Sequence, residues 1–477
     1  MQNTSLARIL SSLDKNELKD FDKFVNTPFF VGRKKAVELF KILKKHHPDF
    51  SSPKLEKRAL YEKLYPGEKY NDTLMRKLIS ELNKSVERYL AYLNFTSDDF
   101  ASRIHLIREV NLRGLNKEAD SKIKEAFKEM TKNPVRDEGH YLNKFLLTEQ
   151  NGWLLLNNAP GLAANVQNAY DSYCYSFLMT ILRYYLRMLN DEQNINAGYK
   201  KTLMNDIMAI VKGSKFIDAP VIAIYYHAVN TLLEPYSDEY YVLFKDNLLK
   251  HGNKLGKGVE MDFYIILVNY FVMRGNMGEK EFLEEAHKLY KKFFRKGYHI
   301  VRGHILPSFF DHAIMISLDL DNVSYAEKFL LKHGNELHSD EKENVLNYNK
   351  ARISLKKGEF EKALEYISKI GHNYSQTKVS VRLLNLQLYY EMNMFDPALH
   401  LIDSFRHFLS DNKRVSDNTR NRAKLMLRII HQLMRVKSGS KRSSLDEVKK
   451  LLAKNKNIMR RYWIVEKIEE LEALQKN

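Results

Sequence analysis

The sequence predicts an all-α protein, an α-solenoid of helical hairpins preceded by an N-terminal four-helix unit. Three observations lead there. Only 19 glycines and 10 prolines occur in 477 residues, about half the usual share, which leaves too little turn chemistry for many short strands. Apolar residues recur at i, i+3, i+4 and i+7 over long stretches, the signature of helices with one buried face. From about residue 100 onward the order helix, short turn, helix repeats, as at Arg113-Gly114-Leu115-Asn116, Arg274-Gly275-Asn276-Met277-Gly278, Lys357-Gly358-Glu359 and Met392-Asn393-Met394. A hydrophobic share of 44% beside 29% charged residues is that of a folded chain. The length exceeds what one core supports, so several domains or a stack of repeats follow.

Residues 1–96 read as the N-terminal unit. Asp14 followed by Glu17 makes a capping box, and Leu18, Phe21, Phe24 and Val25 give its helix one apolar face before Thr27-Pro28. A second helix over about residues 33–47 carries Val37, Phe40, Ile42 and Leu43 and ends at Pro48. Ser52-Pro53 opens a third through Leu64, which Pro66-Gly67 breaks. The fourth starts at Asn71 or Asp72 and carries Met75, Leu78, Ile79, Leu82, Val86, Tyr89, Leu90 and Leu93 on one stripe. Residues 97–437 are expected to form the hairpin array. A polar hinge, Ser438-Gly439-Ser440-Lys441-Arg442-Ser443-Ser444, precedes basic capping helices within residues 438–477. Two apolar runs, 221–228 and 263–268, fit strand or buried helix by pattern, and their flanks favour helix.

The C-terminal half repeats a short grammar. Gly358-Glu359-Phe360-Glu361-Lys362-Ala363-Leu364 returns as Asn393-Met394-Phe395-Asp396-Pro397-Ala398-Leu399, with looser counterparts at Ala326 and Ala286. The alanines stand 40, 37 and 35 residues apart, and Ala351 lies seven residues before Gly358. Over roughly residues 300–410 this resembles the tetratricopeptide repeat, in which glycine closes the inter-helix turn and alanine lets the two helices approach. The repeat's first-helix Trp is replaced by Asn347, and its closing Pro is missing. The resemblance implies a right-handed solenoid that binds a protein segment on its concave face. The N-terminal part also resembles bacterial helical proteins of no assigned activity, a likeness that implies no function.

Catalytic signatures are sparse. His251-Gly252-Asn253-Lys254-Leu255-Gly256-Lys257-Gly258 imitates a phosphate loop, but Lys257 replaces a required glycine and no strand precedes it. Asp319-Leu320-Asp321 opens like a calcium loop, but Val323 and Ser324 break the pattern. No G-x-S-x-G nucleophile elbow occurs. Glu284 and His287 have the spacing of a carboxylate–histidine metal pair in a single copy. His299, His304, Asp311 and His312 gather around Pro307 and would converge on zinc only if their flanking helices packed closely; otherwise they are histidines of a turn. Cys174, between Tyr173 and Tyr175, reads as a buried inert thiol. No catalytic, cofactor or metal residue is therefore assigned. An enzyme would need a pocket collecting His299, His304 and His312.

Charge carries most of the functional information. Between residues 405 and 465, 17 Lys and Arg face 4 acids, so +13 of the chain's +18 formal charge sits at one end. Such asymmetry either keeps a solenoid cap in solution or attracts an acidic partner. Tyrosine pairs at 184–185, 225–226, 240–241 and 389–390 either fill the core between helix layers with the hydroxyl at the rim, or send one ring into the core and the next toward a peptide-binding groove. The function expected is a non-catalytic adaptor or scaffold that binds a protein or peptide, with partner-binding residues Tyr348, Arg352, Arg382, Tyr389, Arg420, Lys424, Arg428 and Arg435. The alternative is a nucleic-acid-binding regulator using the basic end or the N-terminal helices. The latter resemble a winged helix that would present Arg76, Lys77, Asn83, Lys84 and Arg88, although no wing strands follow. One cysteine, no apolar leader and no apolar stretch near the roughly 20 residues of a membrane span set the expectation of a cytoplasmic protein off the membrane.

Overall fold

The computed structural model describes residues 4–27, 34–301, 303–371, 378–413, 415–439 and 444–476. Among these are 23 α-helices and one two-stranded sheet. Two compact units divide the chain: Met1–Lys132 with Asn143–Ala169, and Asn133–Leu142 with Tyr170–Asn477.

The first unit holds α1 (Ser5–Ser12), α2 (Lys15–Val25), α3 (Lys34–Lys44), α4 (Lys57–Leu64), α5 (Asp72–Ser97), α6 (Asp99–Leu112) and α7 (Asn116–Lys132). Asp14 and Glu17 form the expected reciprocal cap of α2. Phe21 meets Phe40 edge-on at 4.8 Å, and the Tyr89 hydroxyl donates to the Glu17 carbonyl at 2.9 Å, so α5 closes over α2 and α3. α1 was not legible in the pattern: it is short, with Thr4 as its cap and Leu6, Ala7 and Leu10 buried. The helix expected to open at Ser52-Pro53 is instead a 3-10 turn, Pro53–Leu55, followed by extended Glu56 before α4 begins. That break lets Leu55 turn into the core at 1% exposure. α5 passes into α6 at Asp98 with no strand between them, so the winged-helix likeness stops at the helices. Residues 28–33 lie outside the described residues, among them the Pro28 and Arg33 boundaries. The helices α8 (Glu138–Gly152) and α9 (Ala159–Asn194) each contribute residues to both units.

The second unit continues with α10 (Met204–Lys212), α11 (Pro220–Leu233), α12 (Asp238–His251), α13 (Lys257–Gly275) and α14 (Lys280–Arg295). A hairpin of β1 (Ile300–Val301) and β2 (His304–Ile305) leads to α15 (Pro307–Asp319), α16 (Val323–His333), α17 (Ser339–Lys356) and α18 (Phe360–Ser368). Then come α19 (Lys378–Glu391), α20 (Phe395–Asp411), α21 (Asp417–Lys437), α22 (Leu445–Lys454) and α23 (Arg461–Lys476). Six sequential pairs form: α11 with α12, α13 with α14, α15 with α16, α17 with α18, α19 with α20, and α21 with α22. First helices also meet across pairs, α11 with α13, α15 with α17, α17 with α19, and α19 with α21. α23 packs on α21 in the same manner. The ambiguous run at 221–228 is helical because nearly every side of α11 is buried, so no polar stripe marks its period.

The alanine grammar has a geometric basis. Ala286, Ala326, Ala363 and Ala398 lie in α14, α16, α18 and α20, and each is fully buried. Before each of those helices one residue takes a left-handed backbone: Gly278 (φ 99°), Asp321 (φ 59°), Gly358 (φ 76°) and Asn393 (φ 57°). The next amide reaches back five residues to a helix carbonyl, Glu279 to Arg274, Asn322 to Ser317, Glu359 to Ser354 and Met394 to Tyr389. This satisfies carbonyls that the ending helix would leave unpaired. Among the described residues no helix is long and apolar enough to cross a membrane.

Candidate functional site

Within the second unit, a cavity of about 690 Å³ opens where the turns of three successive pairs face α23. That is the size of a small-ligand or side-chain pocket. α17 gives it Arg352 and Lys356, α19 gives Gln387 and Glu391, and the α15–α16 turn gives Asp319 and Asp321. Arg460 and the start of α23 form the facing wall. α23 is held there by Trp463, whose indole Nε1 donates to Glu391 at 2.7 Å, and by Lys467, whose Nζ lies 3.1 Å from the same carboxylate.

Two arginines that line the cavity, Arg352 from α17 and Arg460 from the facing wall, meet on one tyrosine. The Arg460 Nη2 donates to the Tyr348 hydroxyl at 3.1 Å, and the Arg352 guanidinium lies 5.5 Å from the centre of the Tyr348 ring. Arg352 is 5% exposed and donates to the Asp311 carbonyl at 3.2 Å and to the Asn349 Oδ1 at 3.4 Å. Both of these acceptors are neutral. Among the described residues neither guanidinium comes within ion-pair distance of a carboxylate. Burial, and then the Arg460 charge, hold Arg352 below the usual arginine pKa. The Tyr462 hydroxyl beside them is buried with no hydrogen-bond partner, and burial together with Asp319 pushes its pKa up to about 12. Asp319 is itself raised by burial against the pull of Arg460, Arg352 and Lys356. Asp311 is pushed up to about 6 by burial, against an Asn349 bond of 2.5 Å and the Arg352 and Arg460 charges. The cavity is lined by both signs of charge, with Asp319, Asp321, Glu391, Glu466 and Glu469 beside its cations and Lys356 pairing with Asp321 and Glu466. Arg352 and Arg460 leave guanidinium donors where a carboxylate or another anion can be accepted.

The residues named from sequence have different fates. Tyr348 and Arg352 come together, Arg352 lining the cavity and Tyr348 buried against its guanidinium. Arg382 stacks its guanidinium 4.7 Å from the Phe408 ring centre, and Tyr389 packs half-buried against the C-terminal core. Arg420 is engaged: Nε donates to the Leu409 carbonyl at 2.7 Å, Nη2 to those of Asn412 and Val415, and Nη1 pairs with Asp417. Lys424 and Arg428 are exposed one turn apart on α21, with Arg435 further along the same stripe. Arg414, Lys441 and Arg442 lie outside the described residues, as does much of the 438–444 hinge. Arg460 was not singled out; its signal was a basic pair inside the charge run, and its partner Tyr348 is 112 residues away.

The other motifs resolve as follows. The glycine-rich segment 251–258 is a helix connector, a 3-10 turn Gly252–Lys254 between α12 and α13. Cys174 is half-buried on α9. Tyr184 is 51% exposed while Tyr185 is buried, as the pairing expects, whereas Tyr225 and Tyr226 are both buried because α11 is enclosed. His287 packs edge-on against Tyr325 at 4.7 Å, and Glu284 is exposed. His299, His304 and His312 are not brought together. His304 is exposed and meets His338 edge-on at 4.8 Å. His312 borders a separate cavity with Asn269 and Tyr290. His299 instead faces His333 and Glu336. No protein-family model, curated protein or solved structure matches the chain.

Proposed function

We propose that the second unit is a helical-repeat solenoid of the tetratricopeptide kind, acting as a non-catalytic scaffold that receives an acidic segment of a protein partner. The observation that carries this is the pairing of Arg352 and Arg460 over Tyr348 in an open cavity, two guanidiniums with no carboxylate of their own. Arg352 is a buried cation whose neighbouring acids, Asp311 and Asp319, act on it only from beyond ion-pair distance, and such a cation is costly. A partner carboxylate, held in bidentate fashion, would relieve that cost and gain specificity from the fork geometry. The exposed Lys424 and Arg428 of α21 would draw an acidic segment toward the same unit from a distance.

The test is fluorescence anisotropy of a labelled glutamate-rich peptide against a glutamine-rich peptide of equal length. The glutamate peptide should bind, more weakly as salt rises, and Arg460→Ala should weaken it by roughly tenfold or more, the loss expected for a charged hydrogen-bonded contact. Equal binding of the two peptides, or none at low salt, contradicts the reading. A second reading, nucleic-acid binding, draws on the α21 stripe of Lys424, Arg428 and Arg435. It predicts a steep linear fall of log affinity for duplex or single-stranded DNA with log salt, unchanged by Arg460→Ala.

A further inference from the structure

His299, His333 and Glu336 offer one ligand atom each within 4.8 Å of one another. His299 ends the turn that follows α14, immediately before β1; His333 is the last residue of α16, and Glu336 ends the 3-10 turn Gly334–Glu336. Two turns, one from each of two successive helix pairs, therefore deliver two imidazoles and a carboxylate to one point. The His333 Nδ1 lies 3.0 Å and the His299 Nε2 3.4 Å from the same Glu336 Oε2. Donors bound to one tetrahedral ion at ~2.0–2.1 Å sit ~3.4 Å apart, so these separations suit a shared metal as well as they suit hydrogen bonds.

Two further features favour the metal. The rings are preset by aromatic packing: His299 lies 4.2 Å from Phe294, and His333 lies 5.0 Å from Phe294 and 4.8 Å from Phe329. Their side chains are only 10% and 12% exposed, whereas Glu336 at 38% leaves one side open to solvent. Such preset ligands lose little freedom on binding.

We propose that His299, His333 and Glu336 form a binding site for a divalent transition-metal ion of the zinc class, with a fourth position open to water. The two imidazole donors select zinc and its neighbours over calcium or magnesium, and a carboxylate completes such sets. The ion would clip the turn after α14 to the end of α16, joining two neighbouring helix pairs. Set apart from the Arg352–Arg460 cavity, it does not depend on the peptide-binding reading.

The experiment uses the full chain, stripped with a chelator and titrated with zinc chloride against a chromophoric zinc indicator. A single equivalent should bind, and zinc should raise the melting temperature of the wild type. Glu336→Gln and His333→Gln should each lower zinc affinity by at least about tenfold and remove the thermal shift. His304→Ala and His338→Ala should retain both. Cobalt(II) in place of zinc should give the intense visible bands of tetrahedral coordination in the wild type and lose them in Glu336→Gln. If His333→Gln fails to fold, the more exposed Glu336→Gln carries the test. Wild type and Glu336→Gln binding zinc equally, or the wild type taking up no zinc, overturns the proposal.

Discussion

Asn393 holds the same left-handed backbone as Gly358, φ 57° against 76°, and each precedes by five residues an alanine with no exposed surface. Asp321 and Ala326 repeat the relation one pair earlier. Three successive turns thus share one conformation, although only one of them uses the residue that adopts it without strain.

Glycine substitutions should separate two costs. A Cβ at Gly358 would meet nothing within 4 Å, so Gly358→Ala should lose only the left-handed conformational preference, about 1–2 kcal/mol. A Cβ at Gly275, in an ordinary helical conformation, would sit 2.3 Å from the Leu283 Cδ2, so Gly275→Ala should cost more by forcing α13 and α14 apart. Asn393→Gly should be neutral to stabilising. Urea unfolding monitored by circular dichroism ranks the three.

Asp311 and His312 are neighbours whose titrations oppose each other. Burial raises Asp311 to about 6 and lowers His312 to about 4. The folded state holds a proton on Asp311 that the unfolded chain releases near pH 4, so this residue makes stability fall as pH climbs from about 4 to 6. His312 does the reverse: the unfolded chain takes up its proton near pH 6.5, so its contribution rises over about 4 to 6.5. Asp311→Asn can keep the hydrogen bond from Asn349 and removes the charge. It should therefore be stabilising by about 1–3 kcal/mol at pH 7.5 and near neutral at pH 4. Chemical denaturation at the two pH values checks this.

Arg274 ties three helices. At 8% exposure it pairs with Glu279 and Asp238, donates to the Tyr270 hydroxyl at 2.7 Å and stacks 4.5 Å from the Phe282 ring centre. Arg274→Met should cost about 2–4 kcal/mol, toward the lower end because Asp238, at 64% exposure, returns easily to water. Arg274→Lys should recover only part of it, since an ammonium cannot engage both acids in the same plane. Thermal melts of the three proteins decide.

On α21, position separates binding from folding. Lys424 and Arg428 are exposed, so alanine at both should leave stability within about 0.5 kcal/mol while weakening glutamate-peptide binding and flattening its salt dependence. Arg420→Ala removes donors to three carbonyls near the end of α20 and should cost about 1–2 kcal/mol with little effect on binding. Melts paired with anisotropy separate the two classes.

Local grammar made the helices legible. Asp14 with Glu17, Asn71 before α5, and the alanines of α14, α16, α18 and α20 all act within a few residues of the backbone they shape. The break at Glu56 was hidden because it answers to the burial of Leu55, a tertiary demand. The same divide runs through the sites. Arg352 and Tyr348 share one helix face four residues apart, so a pattern of residues suggested them together. Arg460 joins them from a distant segment, and His333 and Glu336 meet His299 only because two helix pairs end side by side. The histidines close in sequence, His304 and His312, are parted by the β hairpin and the start of α15.

The central claim is that a partner's acidic segment occupies the cavity bounded by Arg352, Arg460 and α23. Hydrogen–deuterium exchange of the full chain, with and without a saturating glutamate-rich peptide, addresses it by location. Slowed exchange in α17, α19 and the start of α23, absent in Arg460→Ala, is the predicted result. Protection confined to α21 or to α1–α7, with α17, α19 and α23 unchanged, would contradict the account.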